Sequence, residues 1–310
     1  MSYHVGPQGR GVQNAVSVLG LALLLWAAPA AAQSENLPPD VRAAIAAMGP
    51  ALNADMFAKS FAAMRPLQAP RTGLDVARDM SYGAEPLQKL DLWRSKSEGT
   101  VPIVLFVHSG GFTRGDKNDY DNVPAYFARH GALGVNMNYR LAPNVAFPAQ
   151  TLDIGSAVTW LAANAVRYGG DPTRIVLIGH SAGAAIVASY VLDRTIETTR
   201  NGVVGAVLIS GGYVPHEQDV VYYGADIAQL VPMAHLDGKL LLLIAMTEYD
   251  PPLLASDSHV LAAALCKRDG ICPPFLWLSG HNHMSEIASL DTKDDRLGRA
   301  IRGFVQRVAR

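Results

Sequence analysis

Cysteine is almost missing from this chain: Cys266 and Cys272 are the only two in 310 residues. No histidine or second cysteine pair sits at metal-ligand spacing beside them, so no zinc site is expected. Charge of one sign is missing too. The 26 basic and 27 acidic side chains leave a formal net charge of -1. No strong field therefore suggests nucleic acid or an acidic polymer as partner. Runs of like charge and internal repeats are absent. With 49% hydrophobic and 17% charged residues, what remains is globular material for one large core or at most two small domains.

Long apolar runs are confined to the start. Arg10 lies in a weakly basic opening, Ala15 to Ala28 is nearly all apolar, and Pro29-Ala30-Ala31-Ala32 follows. The pattern reads as a signal peptide, residues 1–32, cut after Ala32. The alternative is an uncleaved anchor, for which the run is short. No cysteine follows the cut and no Lys or Arg pair precedes it, which argues against a lipid anchor and a twin-arginine route. An even cysteine count in an exported chain points to a Cys266–Cys272 disulfide, with two free thiols as the alternative. The loop it would close is small, so it would stabilise the fold only modestly.

Residues 33–70 are rich in Ala and Met. Val41 to Met48 and Leu52 to Met64 read as short amphipathic helices, an arm or cap before any strand signal. Strands are expected at Leu74 to Tyr82 and Leu87 to Trp93, antiparallel across a Gly83/Pro86 turn. From Val101 strand and helix alternate to the end, which predicts an α/β domain over residues 71–310 with a largely parallel sheet. Such sheets bind ligands beyond the carboxyl ends of their strands.

The run Arg174 to Ile178 is apolar and β-branched, stops at Gly179-His180-Ser181-Ala182-Gly183, and gives way to a small-residue helix, Ala184 to Leu192. This matches the G-x-S-x-G nucleophile elbow, with glycine where side chains would collide. A serine needs a base, and the base an orienting carboxylate. Asp250 leaves the end of the strand Leu240 to Met246 and is followed by Pro251-Pro252; Glu248 is its rival. After the last strand, in a Gly-containing loop, come His281 and His283. His283 is taken as the base and His281 as the alternative. His108-Ser109-Gly110-Gly111-Phe112 is a variant of the HGGG-type oxyanion loop. Gly110, Gly111 and the N–H of Ala182 would make the anion pocket.

These strings, with Asn138-Tyr139-Arg140-Leu141-Ala142-Pro143, Phe147-Pro148-Ala149, Gly170-Asp171-Pro172-Thr173-Arg174-Ile175 and Thr247-Glu248-Tyr249-Asp250-Pro251, resemble the α/β-hydrolase superfamily. The likeness runs from about Leu74 to the C-terminus, and is to carboxylesterases of the hormone-sensitive-lipase and feruloyl-esterase-like group. It implies a sheet of about eight strands, with Ser181 as nucleophile, Asp250 as acid and His283 as base. Ser109 and His180 stand where that group often carries Gly or Asp, and the base loop resembles those of arylformamidase-like hydrolases.

The expected function is a serine carboxylesterase acting on small esters through an acyl-enzyme, with no metal or organic cofactor. Amide, formamide or peptide cleavage on the same triad stays open, as does a non-catalytic binding protein of the fold. The segment Tyr213 to Gly238 is too short for a large lid. With Val214, Val220, Val221, Tyr222, Tyr223, Met233 and the Met/Phe-rich arm, it predicts an apolar pocket.

Overall fold

The computed structural model describes residues 36–96 and 99–310; the expected leader, 1–32, lies outside them. Two helices come first, α1 (Pro39–Met48) and α2 (Ala54–Met64). Asn53 caps α2, its Oδ1 accepting the Met56 N–H at 2.9 Å. The chain then follows β1 (Leu74–Ser81), β2 (Lys89–Ser95), β3 (Val101–Val107), α3 (Asn122–Arg129), β4 (Leu133–Met137), α4 (Ala149–Asn164), β5 (Gly170–His180) and α5 (Ala182–Leu192). Next come β6 (Val203–Ile209), short helices α6 (Val220–Tyr223) and α7 (Ile227–Leu230), β7 (Leu241–Tyr249), α8 (Pro252–Asp269), β8 (Phe275–Asn282), α9 (Ser285–Ala288) and α10 (Arg296–Val308).

The eight strands form one sheet in the order β1-β2-β4-β3-β5-β6-β7-β8. The β1–β2 and β2–β4 pairs are antiparallel and the rest parallel. Alternation along the central strands sorts side chains onto two faces. Ile103, Leu105, Ile175 and Leu177 pack with Ile154 and Leu161 of α4 and Ile186 of α5. Val104, Phe106, Val176 and Ile178 pack with Phe127 of α3 and with Ile301 and Phe304 of α10. These side chains are wholly or nearly wholly buried, each worth roughly 1.5–3 kcal/mol of transfer free energy.

The connection from β3 runs to β4 on one side, while β5 lies on its other side. The chain order therefore reverses between β3 and β5, a crevice-forming switch point. Gly110 and Gly111 follow β3 and Ser181 follows β5, so the topology brings these two strand ends next to each other.

Element boundaries moved by a few residues, and one shift matters. The sequence places both histidines in a loop beyond the last strand, whereas that strand runs on to Asn282, so His281 is a strand residue and His283 stands just past the strand end. The helix pair α1–α2 buries Ile45 and Met64 against Leu37 and Ala288. Ser60 of α2 exchanges hydrogen bonds with the Asn282 side chain at 3.0–3.1 Å. Cys266 and Cys272 are disulfide-bonded. Among the described residues no helix is long and apolar enough to cross a membrane.

Candidate active site

Ser181 sits between β5 and α5 with φ +57°, a conformation that side chains rarely adopt. The turn is this tight because its glycines admit close approach. A Cβ on Gly179 would lie 2.3 Å from the Gly183 carbonyl oxygen, and one on Gly183 would lie 2.2 Å from that of Val107. The Ser181 N–H donates to the Ile209 carbonyl at 2.9 Å, tying the elbow to β6.

Asp250 is buried one residue beyond β7. Its Oδ2 accepts from the Ser210 hydroxyl at 2.5 Å and the Thr247 N–H at 2.9 Å. Its Oδ1 lies 2.9 Å from Nδ1 of His283. With the carboxylate accepting, His283 carries its proton on Nδ1 and presents an unprotonated Nε2. That nitrogen is buried and has no hydrogen-bond partner among the described residues. No hydrogen bond joins it to the Ser181 hydroxyl in this state. The two residues are neighbours all the same: the ring of His180, next to Ser181, lies 4.8 Å from the His283 ring.

His281 is engaged at both nitrogens, with Ser285 Oγ and with Asp294 Oδ2, each at 3.0 Å. Burial lowers its pKa, with Asp294 acting the other way. Arg296 and His281 together overcome burial to hold Asp294 well below the usual carboxylate range. A ring with both nitrogens occupied has no lone pair for a serine proton. Glu248 is exposed and accepts the N–H of Gly280 in β8 at 2.7 Å; the carboxylate on His283 is that of Asp250. Ser210, which sequence reasoning passed over, follows β6 at φ +48°. Its signal was position alone, at the strand end next to that of Asp250.

Gly110 and Gly111 both have positive φ, +134° and +56°, and a Cβ on Gly110 would fall 1.8 Å from the Arg114 carbonyl oxygen. His108 Nδ1 lies 2.6 Å from the Ser109 carbonyl oxygen, so it donates there. In a trans peptide the N–H points opposite to the carbonyl, which turns the Gly110 N–H away from His108. The N–H groups of Gly110, Gly111 and Ala182 donate to no other group among the described residues. His108 stacks on Tyr139 at 4.3 Å, and burial lowers its pKa to about 4.

A cleft of about 550 Å³ opens beside Ser109 and Gly110, walled by Phe57 and Phe61 of α2, with Arg65 and Arg114 at its margin. Phe57 and Phe61 thus give this cleft one apolar wall. Tyr222 and Tyr223 are instead buried against Phe112, Tyr222 stacked on it at 4.1 Å. They back the loop that carries Gly110 and Gly111, while Val220 and Val221 are exposed.

Among the described residues one group of side chains could approach a metal, His180, His283 and Glu286, whose ligand atoms lie within 4.8 Å of one another. Ligands of one tetrahedral zinc sit roughly 3.4 Å apart at bond lengths near 2.1 Å. His180 Nε2 also faces a carbonyl oxygen at 2.8 Å, so this donor set fits a metal poorly.

Comparison with known proteins gives the same architecture. Esterase B from Lactobacillus Rhamnosis superposes with a TM-score of 0.70 at 18% identity, over 90% of this chain and 96% of that one. The likeness shows the α/β-hydrolase fold. The BD-FAE family model matches residues 90–203. Esterase LipC of Mycobacterium tuberculosis is 35% identical over 115 residues, 36% of this chain and 28% of that protein. The probable carboxylic ester hydrolase LipM of the same organism is 29% identical over 225 residues, 70% of this chain. The chain spans about half of LipM's length, 51%, in that match.

Proposed function

We propose that this α/β-hydrolase is a serine carboxylesterase that cleaves small carboxylic esters through an acyl-enzyme. The observation that carries the reading is His283, its Nδ1 held by Asp250, its Nε2 left without a partner among the described residues, and its ring 4.8 Å from that of His180, the residue before the strained Ser181. In this mechanism Ser181 Oγ attacks the ester carbonyl while His283 Nε2 takes the hydroxyl proton. The N–H groups of Gly110, Gly111 and Ala182 receive the oxyanion, each worth on the order of 3 kcal/mol of barrier. The imidazolium, steadied by Asp250, then protonates the departing alkoxide. Water, activated by the same nitrogen, releases the acid. The cleft beside Gly110 takes the acyl group against Phe57 and Phe61, with residues 33–70 acting as a small cap on the catalytic domain, 71–310.

The esterase names of the curated relatives support an ester over an amide. A panel of aryl acetates, butyrates and octanoates against N-formyl and amino-acyl anilides tests this. Esters should be turned over faster; faster anilide turnover would move the assignment to an amidase or formamidase.

We also propose export, with residues 1–32 removed. The Cys266–Cys272 disulfide supports an oxidising compartment. N-terminal sequencing of the mature protein should read from Gln33; a chain retaining Leu19 to Trp26 outside the cytoplasm would contradict cleavage.

A further inference from the structure

Two buried groups next to the triad have no part in the mechanism above. His180, between Gly179 and Ser181, has no exposure. Its Nε2 lies 2.8 Å from the backbone carbonyl oxygen of His283. A carbonyl only accepts, so Nε2 carries the hydrogen. Nδ1 has no partner among the described residues, and burial, with His283 nearby, lowers the ring's pKa well below the ordinary value. His180 is thus a neutral donor that reaches from the elbow to the main chain of the base.

Glu286 stands three residues after His283, in α9, with no exposure and neither carboxyl oxygen hydrogen-bonded among the described residues. Its Oε1 lies 3.4 Å from His180 Nε2. Burial, then the charge of Asp250, raises its pKa well above the ordinary value, with the Ser210 hydroxyl opposing. The ionisable groups facing it are His180 at the end of β5, Asp250 beyond β7, His283 beyond β8, and Tyr213 beyond β6. A carboxyl buried without hydrogen-bond partners destabilises the fold. Leucine would fill the same space at no such cost, so stability does not explain a glutamate there.

We propose that His180 and Glu286 form a buried bracket that sets the reach between nucleophile and base: His180 clamps the His283 main chain to the elbow, and Glu286 sits behind the clamping nitrogen. Both are positioning residues, and the proposal rests on Ser181, Asp250 and His283 being the catalytic set. The direct link is short. Ser181 adjoins His180, and one hydrogen bond then crosses to His283. The route through Asp250 fixes the ring's tautomer and tilt instead. Turning the His180 ring over would place the bare Nδ1 against the carbonyl and break the clamp. Glu286 Oε1 stands 3.4 Å from that N–H without hydrogen-bonding to it, and its polar face favours the ring orientation that turns Nε2 towards it. Burial, then the charge of Asp250, favours the uncharged carboxyl there.

The test compares His180→Phe, Glu286→Gln and Glu286→Leu in the full chain. It reads kcat and KM on an aryl butyrate, the acid limb of the kcat/KM pH profile, fluorophosphonate labelling rate and thermal melting. Misplacing reacting groups by about 1 Å can cost ~100-fold, so His180→Phe should lose about that much in kcat and in labelling rate, with KM little changed. Glu286→Gln keeps size and hydrogen bonding, and should hold kcat within about threefold with the acid limb unmoved. Glu286→Leu should lose roughly tenfold in kcat while melting no lower than the parent. A folded His180→Phe with parental kcat overturns the clamp. Parental kcat in Glu286→Leu overturns the role of Glu286, and decides the matter for the bracket if His180→Phe fails to fold. An acid limb moved by about one pH unit in Glu286→Gln would make Glu286 a charge rather than a spacer. No turnover and no labelling in the parent protein would instead defeat the hydrolase reading itself.

Discussion

The carbonyl oxygen of Val107 occupies the space where a side chain at residue 183 would begin: a Cβ on Gly183 falls 2.2 Å from it. The second glycine of the elbow is therefore fixed by β3, the neighbouring strand, and not only by the turn. Gly183→Ala should push β3 and α5 apart two residues from Ser181, where a Cβ would meet the Val107 and His108 carbonyls. We expect a loss of kcat of about 100-fold or more, with a lowered melting temperature. Steady-state kinetics beside a thermal melt checks it, and parental kcat would show that the approach is slack.

His283 and His281 both pair with an aspartate, so their roles separate by substitution. His283→Ala should abolish turnover by several powers of ten, on the order of 10⁴, with the fold kept. His281→Ala leaves Asp294 and Ser285 short of a buried partner. It should cost about 2–4 kcal/mol of stability while kcat per folded molecule stays within about tenfold. Urea unfolding and kinetics on both variants decide it; a stable, inactive His281→Ala would reverse the assignment.

The fold was readable because the strands buried on both faces, such as Pro102 to Val107, are continuous apolar runs between Gly- and Pro-marked turns. The tight turns at Ser181 and at Gly110-Gly111 were readable because glycine at close backbone approaches is a local demand. The choice between His281 and His283 was not local. It depends on Asp294, thirteen residues on from His281, and on β8 continuing through Gly280, which no pattern of apolar residues marks. Likewise the aromatic pair Tyr222–Tyr223 reads equally as pocket or packing. Only its stacking on Phe112 shows which.

Acid should weaken this protein before it reaches the carboxylates. His108 falls from 6.5 to about 4, and His180 and His281 are also lowered, burial leading in each case. Groups whose folded pKa is depressed contribute stability above their unfolded pKa and lose it as pH falls towards the folded value. Stability should therefore drop from about pH 6.5 towards pH 4, with His108 alone contributing at most about 3 kcal/mol. Glu286 acts oppositely: its raised pKa gives stability that is full below 4.5 and lost as pH rises. Urea midpoints at pH 7 and pH 5 should show the fall, smaller in His108→Phe. A fall in His108→Phe as large as the parent's would contradict a neutral buried His108.

The cleft beside Gly110 has a simple probe. Ala58 lines it next to Phe57 and Phe61, and Ala58→Trp would fill much of its volume. Octanoate turnover should fall by about tenfold more than acetate turnover, measured as kcat/KM. Equal losses on both esters would place the acyl chain elsewhere.

The central claim is that Ser181 is the nucleophile of an acyl-transfer site, and fluorophosphonate labelling followed by intact mass tests it most directly. One adduct per chain is predicted for the parent protein, mapped to Ser181, and none for Ser181→Ala. An unlabelled parent, or an adduct that persists in Ser181→Ala, would contradict the account.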